Sequence, residues 1–162
     1  MNEQYAEIIT ALPLFHGYTL HGAQMVMQNG EVKEHGPGEL LLSEGDSPTF
    51  VILVLTGKLE VFVHRHGRDL VLTDARPGAI VGELAVLCGI PRSASVRATE
   101  KSAVLLWKTM DFRKLLIRDP DLSERIFRES LRTLIEKERS LIDSLVQSTD
   151  TNQRQSQTPR GV

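Results

Sequence analysis

Cysteine is nearly absent from this chain: of 162 residues only Cys88 carries a thiol. That excludes an internal disulfide and a thiol-rich zinc or iron–sulfur centre. Long apolar runs are missing too. Phe50 to Leu55 is the longest, far short of the ~20 residues a spanning helix requires, so no membrane segment is expected. The N-terminal stretch MNEQYAEIIT has neither the basic region nor the apolar core of an export signal. Nor is there an excess of positive charge: 19 Lys and Arg face 21 Asp and Glu, a net charge of -2. Nucleic-acid affinity rests mainly on basic charge meeting phosphate, so composition gives it no general support. These absences together predict a cytoplasmic protein, and 41% hydrophobic residues suffice for an ordinary core. The length suits one domain with an appendage.

Along the chain the pattern changes three times. Residues 1–30 read as an N-terminal helical segment, with one short helix stopped by Pro13 and a second, about His21 to Gln28, closed by Asn29-Gly30. Residues 31–109 are short, β-branched, apolar segments separated by turn signals such as Gly36-Pro37-Gly38, Gly45-Asp46-Ser47-Pro48 and Pro77-Gly78. Seven or eight strands at that spacing predict an α+β, mainly β, fold: an eight-stranded double-sheet β-roll, jelly-roll-like, flanked by short helices at both ends. In "KLEVFVH", Leu59, Val61 and Val63 alternate with Glu60 and Phe62, one face inward and the other mixed. Residues 110–146 turn helical. Asp119-Pro120-Asp121 is a natural start for a long helix running to about Val146. Phe127, Leu131, Leu134, Leu141 and Leu145 share a four-three spacing, and Glu138 takes the seam position that should be apolar. Residues 147–162 are polar and aperiodic, which predicts a disordered tail.

The segment "GELAVLCGIPRSASVRA", Gly82 to Ala98, is the most informative. A glycine and a carboxylate open a short apolar run, a Gly-x-Pro turn closes it, and an arginine with two serines follows. It resembles the phosphate-binding cassette of cyclic nucleotide-binding domains of the catabolite activator and protein kinase A regulatory-subunit type. The resemblance extends from about Leu12 to Leu145, through "LPLFHGYTL", "GPGELLLSEGDSPTFVILVLTGKLEVF" and "FRKLLIRDPDLSERIF". It implies a ligand, cyclic AMP or cyclic GMP, and no cofactor. Arg92 supplies a planar, permanently charged fork for the two exocyclic phosphate oxygens. The N–H groups around Leu84 and Ala85, at the start of a short helix, point at the same anion. Gly82 lets the backbone approach closely. By resemblance, Glu83 accepts from the ribose 2′-hydroxyl, and Ser93 with Ala94 completes the phosphate side. Val61, Leu70, Leu72 and Thr73 are placed by the same likeness at the base, and Leu134, Lys137, Glu138 and Arg139 at the lid.

Base choice stays open on these residues. Glu138 can accept from both N1–H and N2–H of guanine or from the single N6 amine of adenine, whereas a serine after the cassette arginine goes with cyclic AMP in the family. We expect cyclic AMP. The alternatives are a family fold that binds no nucleotide or cyclic di-GMP, and a metal-dependent cupin-type enzyme suggested by His64-Arg65-His66. The enzyme reading lacks the carboxylate and further histidine such a site needs, and no nucleophile–base set is visible, so no catalytic residue and no metal ligand is assigned. Cys88 is expected to be a small buried filler, and Trp107 a core residue. About sixteen residues follow Val146, too few for the family's winged helix, so no DNA partner is expected. An unidentified protein partner is, with a homodimer through the C-terminal helix possible.

Overall fold

The structure, a computed structural model, describes residues 2–156. Helix α1 (Asn2–Ala11) ends before Pro13, which opens a 3-10 turn (Pro13–Phe15). Helix α2 (Leu20–Met27) is capped by Thr19, whose hydroxyl accepts from Gly22 N at 3.1 Å. Eight strands follow: β1 (Gly30–His35), β2 (Leu40–Leu42), β3 (Phe50–Thr56), β4 (Leu59–Arg65), β5 (Arg68–Ala75), β6 (Ile80–Val81), β7 (Ser95–Ala98) and β8 (Ser102–Lys108). Helix α3 (Glu83–Cys88) interrupts them between β6 and β7, and α4 (Thr109–Arg118) and α5 (Pro120–Ser156) close the chain.

The strands form two four-stranded sheets, ordered β1-β8-β3-β6 and β2-β7-β4-β5, with every pairing antiparallel. The expected eight-stranded double-sheet roll is what forms. "Mainly β" describes its core only, because the helices, chiefly the 37-residue α5, hold more of the chain than the strands.

The continuous apolar run of β3 has a simple cause. Val51, Leu53 and Leu55 point to one face and pack with Leu105 and Trp107 of β8 against helical residues including Ile9, Val26, Phe112, Leu122 and Ile126. Ile52 and Val54 point to the other face, joining Val104, Leu42, Leu59, Val96 and Ala98 between the sheets. A strand covered on both faces loses polar alternation. Trp107 is buried as expected, and its Nε1 donates to the Val26 carbonyl at 3.0 Å.

Phe112, Leu122 and Ile126 lie in that first core, so the helical region starting at 110 is not a single appendage. One compact unit ends at Ile126, and α5 from Phe127 onward belongs to another. Asp119 starts α5 as the cap: its Oδ1 accepts from Leu122 N at 3.0 Å, and its Oδ2 accepts from the Tyr18 hydroxyl. The helix passes the expected end near Val146 and continues to Ser156. No glycine or proline intervenes, and each polar residue costs only tenths of a kcal/mol in helix propensity, about 0.7 at most. The expected disorder thus does not apply to residues 147–156, and 157–162 lie outside the described residues.

Candidate functional site

The cassette is built around Gly82 and Arg92. Gly82 caps α3 in the left-handed region at φ 81°, and Gly89 ends that helix at φ 67°. Arg92 is 4% exposed, a charged side chain inside the protein. Its Nη1 donates to the Gly82 carbonyl at 2.8 Å and its Nη2 to the Phe50 carbonyl, and its guanidinium lies 5.4 Å from the centre of the Phe50 ring. A Cβ on Gly82 would sit 2.4 Å from the same Nη1. This glycine thus brings the backbone close to the arginine, where no side chain at position 82 would fit.

The loop between β2 and β3 holds the arginine's backbone. Arg92 N donates to the Asp46 carbonyl at 2.9 Å, and Gly45 N donates to the Arg92 carbonyl at 2.8 Å. That loop is secured in turn by Ser95, whose hydroxyl accepts from Glu44 N at 2.9 Å, and by Arg65, which grips the Glu44 carboxylate at 2.6 and 3.0 Å. Burial pulls the Arg92 guanidinium below its ordinary pKa, and the nearby Asp46 and Glu83 carboxylates act against that fall. A guanidinium has five N–H donors, and two bonds to carbonyls leave it capacity for an oxyanion.

Around it, Glu83 and Ala85 are buried, Leu84 and Ala94 are half-buried, and Ser93 is exposed. The structure thus brings Gly82, Glu83, Leu84, Ala85, Arg92, Ser93 and Ala94 into one loop–helix–loop. Val61 and Thr73 meet differently, as direct cross-strand partners on β4 and β5. Val61 also pairs with Val96 of β7, and Val96 with Leu42 of β2. Leu42, Val96, Val61 and Thr73 therefore make a row across the whole sheet. The cassette joins it at the Leu42 end, since a Cβ on Gly82 would lie 3.3 Å from Leu42 Cδ1.

Leu72 takes no part in that row of cross-strand pairs. It is the unpaired residue at the register shift opposite Val61 and Phe62, on an edge strand, and it is 53% exposed. Leu70 is exposed as well. Cys88 is not a buried filler. The inward side of the six-residue α3 is taken by Glu83, Ala85 and Val86, and Cys88, next to the left-handed Gly89, is exposed. Glu138 lies on the part of α5 that forms its own unit and is exposed there, as are Lys137 and Arg139.

The histidine pair has a structural explanation. His64 Nδ1 bonds the Asp69 carboxylate at 2.8 Å, and His66 occupies the β4–β5 turn at φ 53°. Among the described residues, no three His, Cys, Asp or Glu side chains cluster so as to hold a metal ion, and no helix is long and apolar enough to cross a membrane. The outer face of β4 bears a network that was not foreseen. Arg97 bonds Glu60 at 2.8 Å and Asp69 at 2.6 Å, and covers the Phe62 ring at 4.2 Å. Its signal was one acid on each of β4 and β5, Glu60 and Asp69, and one base, Arg97, on β7 between β2 and β4. Sequence reading also missed Phe50, Leu42, Ser95 and Asp46, whose roles depend on pairings 42 to 54 positions apart.

Comparison with known proteins agrees with this geometry. Residues 32–119 match the family model of the cyclic nucleotide-binding domain. A cAMP-dependent protein kinase regulatory subunit of Blastocladiella emersonii is 33% identical over 96 residues, covering 59% of this chain and 24% of that protein. A potassium channel of Oryza sativa subsp. japonica is 27% identical over 101 residues, 62% of this chain and 20% of that one. Among solved structures, the Thermus thermophilus catabolite activator protein superposes with a TM-score of 0.72 at 28% identity, covering 83% of this chain and 63% of the other. The chain thus spans about a fifth to a quarter of these two curated relatives.

Proposed function

Because this chain belongs to the cyclic nucleotide-binding domain family, we propose that it is a regulatory module that binds a 3′,5′-cyclic purine nucleotide and relays that event to a partner protein through its C-terminal helix. The observation that carries the reading is the buried Arg92 beside the left-handed Gly82, at one end of the Leu42–Val96–Val61–Thr73 row. Arg92 and the first N–H groups of α3 take the phosphate, Glu83 takes the ribose 2′-hydroxyl, and Val61 and Thr73 face the base.

Cyclic AMP is the preferred ligand, because Ser93 follows the arginine; Glu138 is the lid residue to compare against it. The lid argument is thermodynamic. A ligand shifts a helix only as far as it binds two helix positions with different affinity. The relatives include a kinase regulatory subunit, a channel and an activator protein, which supports a module that acts on a protein through what α5 presents. Its apolar side, including Phe127, Leu131, Leu134, Leu141 and Leu145, is exposed. A second copy of the same helix is a matching partner for that seam.

One observation favours a second reading, a family fold that binds no nucleotide. Both terminal nitrogens of Arg92 already donate to carbonyls of the protein. Binding isotherms for cyclic AMP, cyclic GMP and cyclic di-GMP on one preparation separate the readings. The proposal expects saturable one-site binding, tightest for cyclic AMP. Flat isotherms for all three would establish the second reading.

A further inference from the structure

The two sheets do not seal against each other at the β1 and β2 edges, and the gap is a slot of about 540 Å³, separate from the cassette. That volume lies within the ~300–1,000 Å³ typical of small-molecule sites. Its floor is apolar: Leu41, Phe50 and Leu106 rest on the inter-sheet core, with Leu40 at the lip.

Beside Asn29 and Gly30, the rest of the lining is ionisable, and nearly every such group has a partner within 4.0 Å. Glu31 pairs with Lys33 at 3.6 Å, His35 with Glu39 at 2.9 Å, and Asp111 with Lys114 at 4.0 Å. Lys108 is the exception. It is exposed on the slot wall, and it has no ion-pair partner among the described residues. An apolar floor beneath one unanswered ammonium complements a molecule with an apolar body and one negative head. An added peptide strand along β1 fits less well, because Glu31, Lys33 and Glu34 are the kind of edge charges that discourage strand pairing.

We propose that this slot is a second ligand site, taking a small amphiphile with one carboxylate-type head, its tail on Leu41, Phe50 and Leu106 and its head on Lys108. Phe50 gives the site a consequence, since its ring and carbonyl are also what hold the Arg92 guanidinium. A tail pressed on Phe50 stabilises that hold and so competes with a phosphate for Arg92; this link rests on Arg92 being the phosphate reader.

Decanoate, kept below its micelle concentration, is the probe, with binding followed residue by residue in amide NMR spectra. Saturable shifts centred on Lys33, Leu41, Phe50 and Leu106 are expected. Lys108→Glu, a change at an exposed position, should weaken decanoate roughly tenfold or more and bring binding of decyltrimethylammonium instead. Shifts centred on α5, or equal decanoate affinity in the variant, would overturn the site. Saturating decanoate should also weaken cyclic AMP severalfold, and an unchanged nucleotide affinity would overturn the Phe50 link. A protein that takes decanoate in the slot and no cyclic AMP refutes the cassette reading and leaves the slot standing.

Discussion

Gly82 and Arg92 are fitted to each other: the arginine's Nη1 donates to the glycine's carbonyl at 2.8 Å, and a Cβ at position 82 would overlap that nitrogen at 2.4 Å. Gly82→Ala must therefore both hold an L residue at φ 81° and displace the guanidinium. We expect a loss of about 1–3 kcal/mol of stability in urea denaturation, together with weakened nucleotide binding. A variant as stable as the wild type would show that the guanidinium has room to move.

Glu83 offers a test that separates sugar from phosphate. If its carboxylate accepts from the ribose, 2′-deoxy cyclic AMP should bind the wild type more weakly than cyclic AMP by about 1–3 kcal/mol. Glu83→Ala should then bind the two nucleotides alike. Calorimetric titration of the four combinations reads this directly, and a variant that still discriminates assigns the 2′-hydroxyl to another group.

The outer face of the β4–β5 hairpin should register acid. Bonds from His64 first, and from Arg97, hold the Asp69 carboxyl below the usual carboxylate range. A lowered pKa in the folded state contributes stability that is fully present above the unfolded value, about 3.9, and is lost as pH falls through the lower folded value. Asp69→Asn should therefore melt at lower temperature than wild type near pH 6, and the gap should close as both are acidified below about pH 4. A gap that is constant across that range would mean that Asp69 acts through packing alone.

The exposed seam of α5 predicts self-association. Leu134 is 42% exposed and stands in the middle of the four-three row. Leu134→Asp should shift a dimer to monomer in light scattering at high concentration, without changing the thermal transition of the roll. A strictly monomeric wild type, with and without nucleotide, would end the idea.

The sequence was most legible where the pattern is local. Gly82 to Ala98 is contiguous, and its glycine, acid, turn and arginine stand in the structure as one unit. β3 and β8 were legible because two-sided burial leaves an unbroken apolar run. β6 was not, because Ile80–Val81 is a two-residue strand set by pairing with Ile52 and Leu53. The exposed position of Leu72 was not legible, since a register shift takes it out of the β4–β5 pairing, and a shift depends on the partner strand. The reach of α5 past Val146 was hidden because polar residues weaken an apolar pattern without stopping a helix. The structural duty of Arg92 was hidden most deeply. Its acceptors, the carbonyls of Gly82 and Phe50, belong to the backbone and leave no trace in residue type.

The central claim is that Arg92 reads a cyclic phosphate, and one measurement addresses it: cyclic AMP isotherms for wild type and Arg92→Ala, on protein verified as folded. The side chain is buried and holds two carbonyls, so the variant will also lose stability and should be titrated well below its melting transition. Removing the charge match should cost about 2–5 kcal/mol of binding, roughly 30-fold or more in affinity. A folded Arg92→Ala protein that binds cyclic AMP as tightly as wild type would contradict the account.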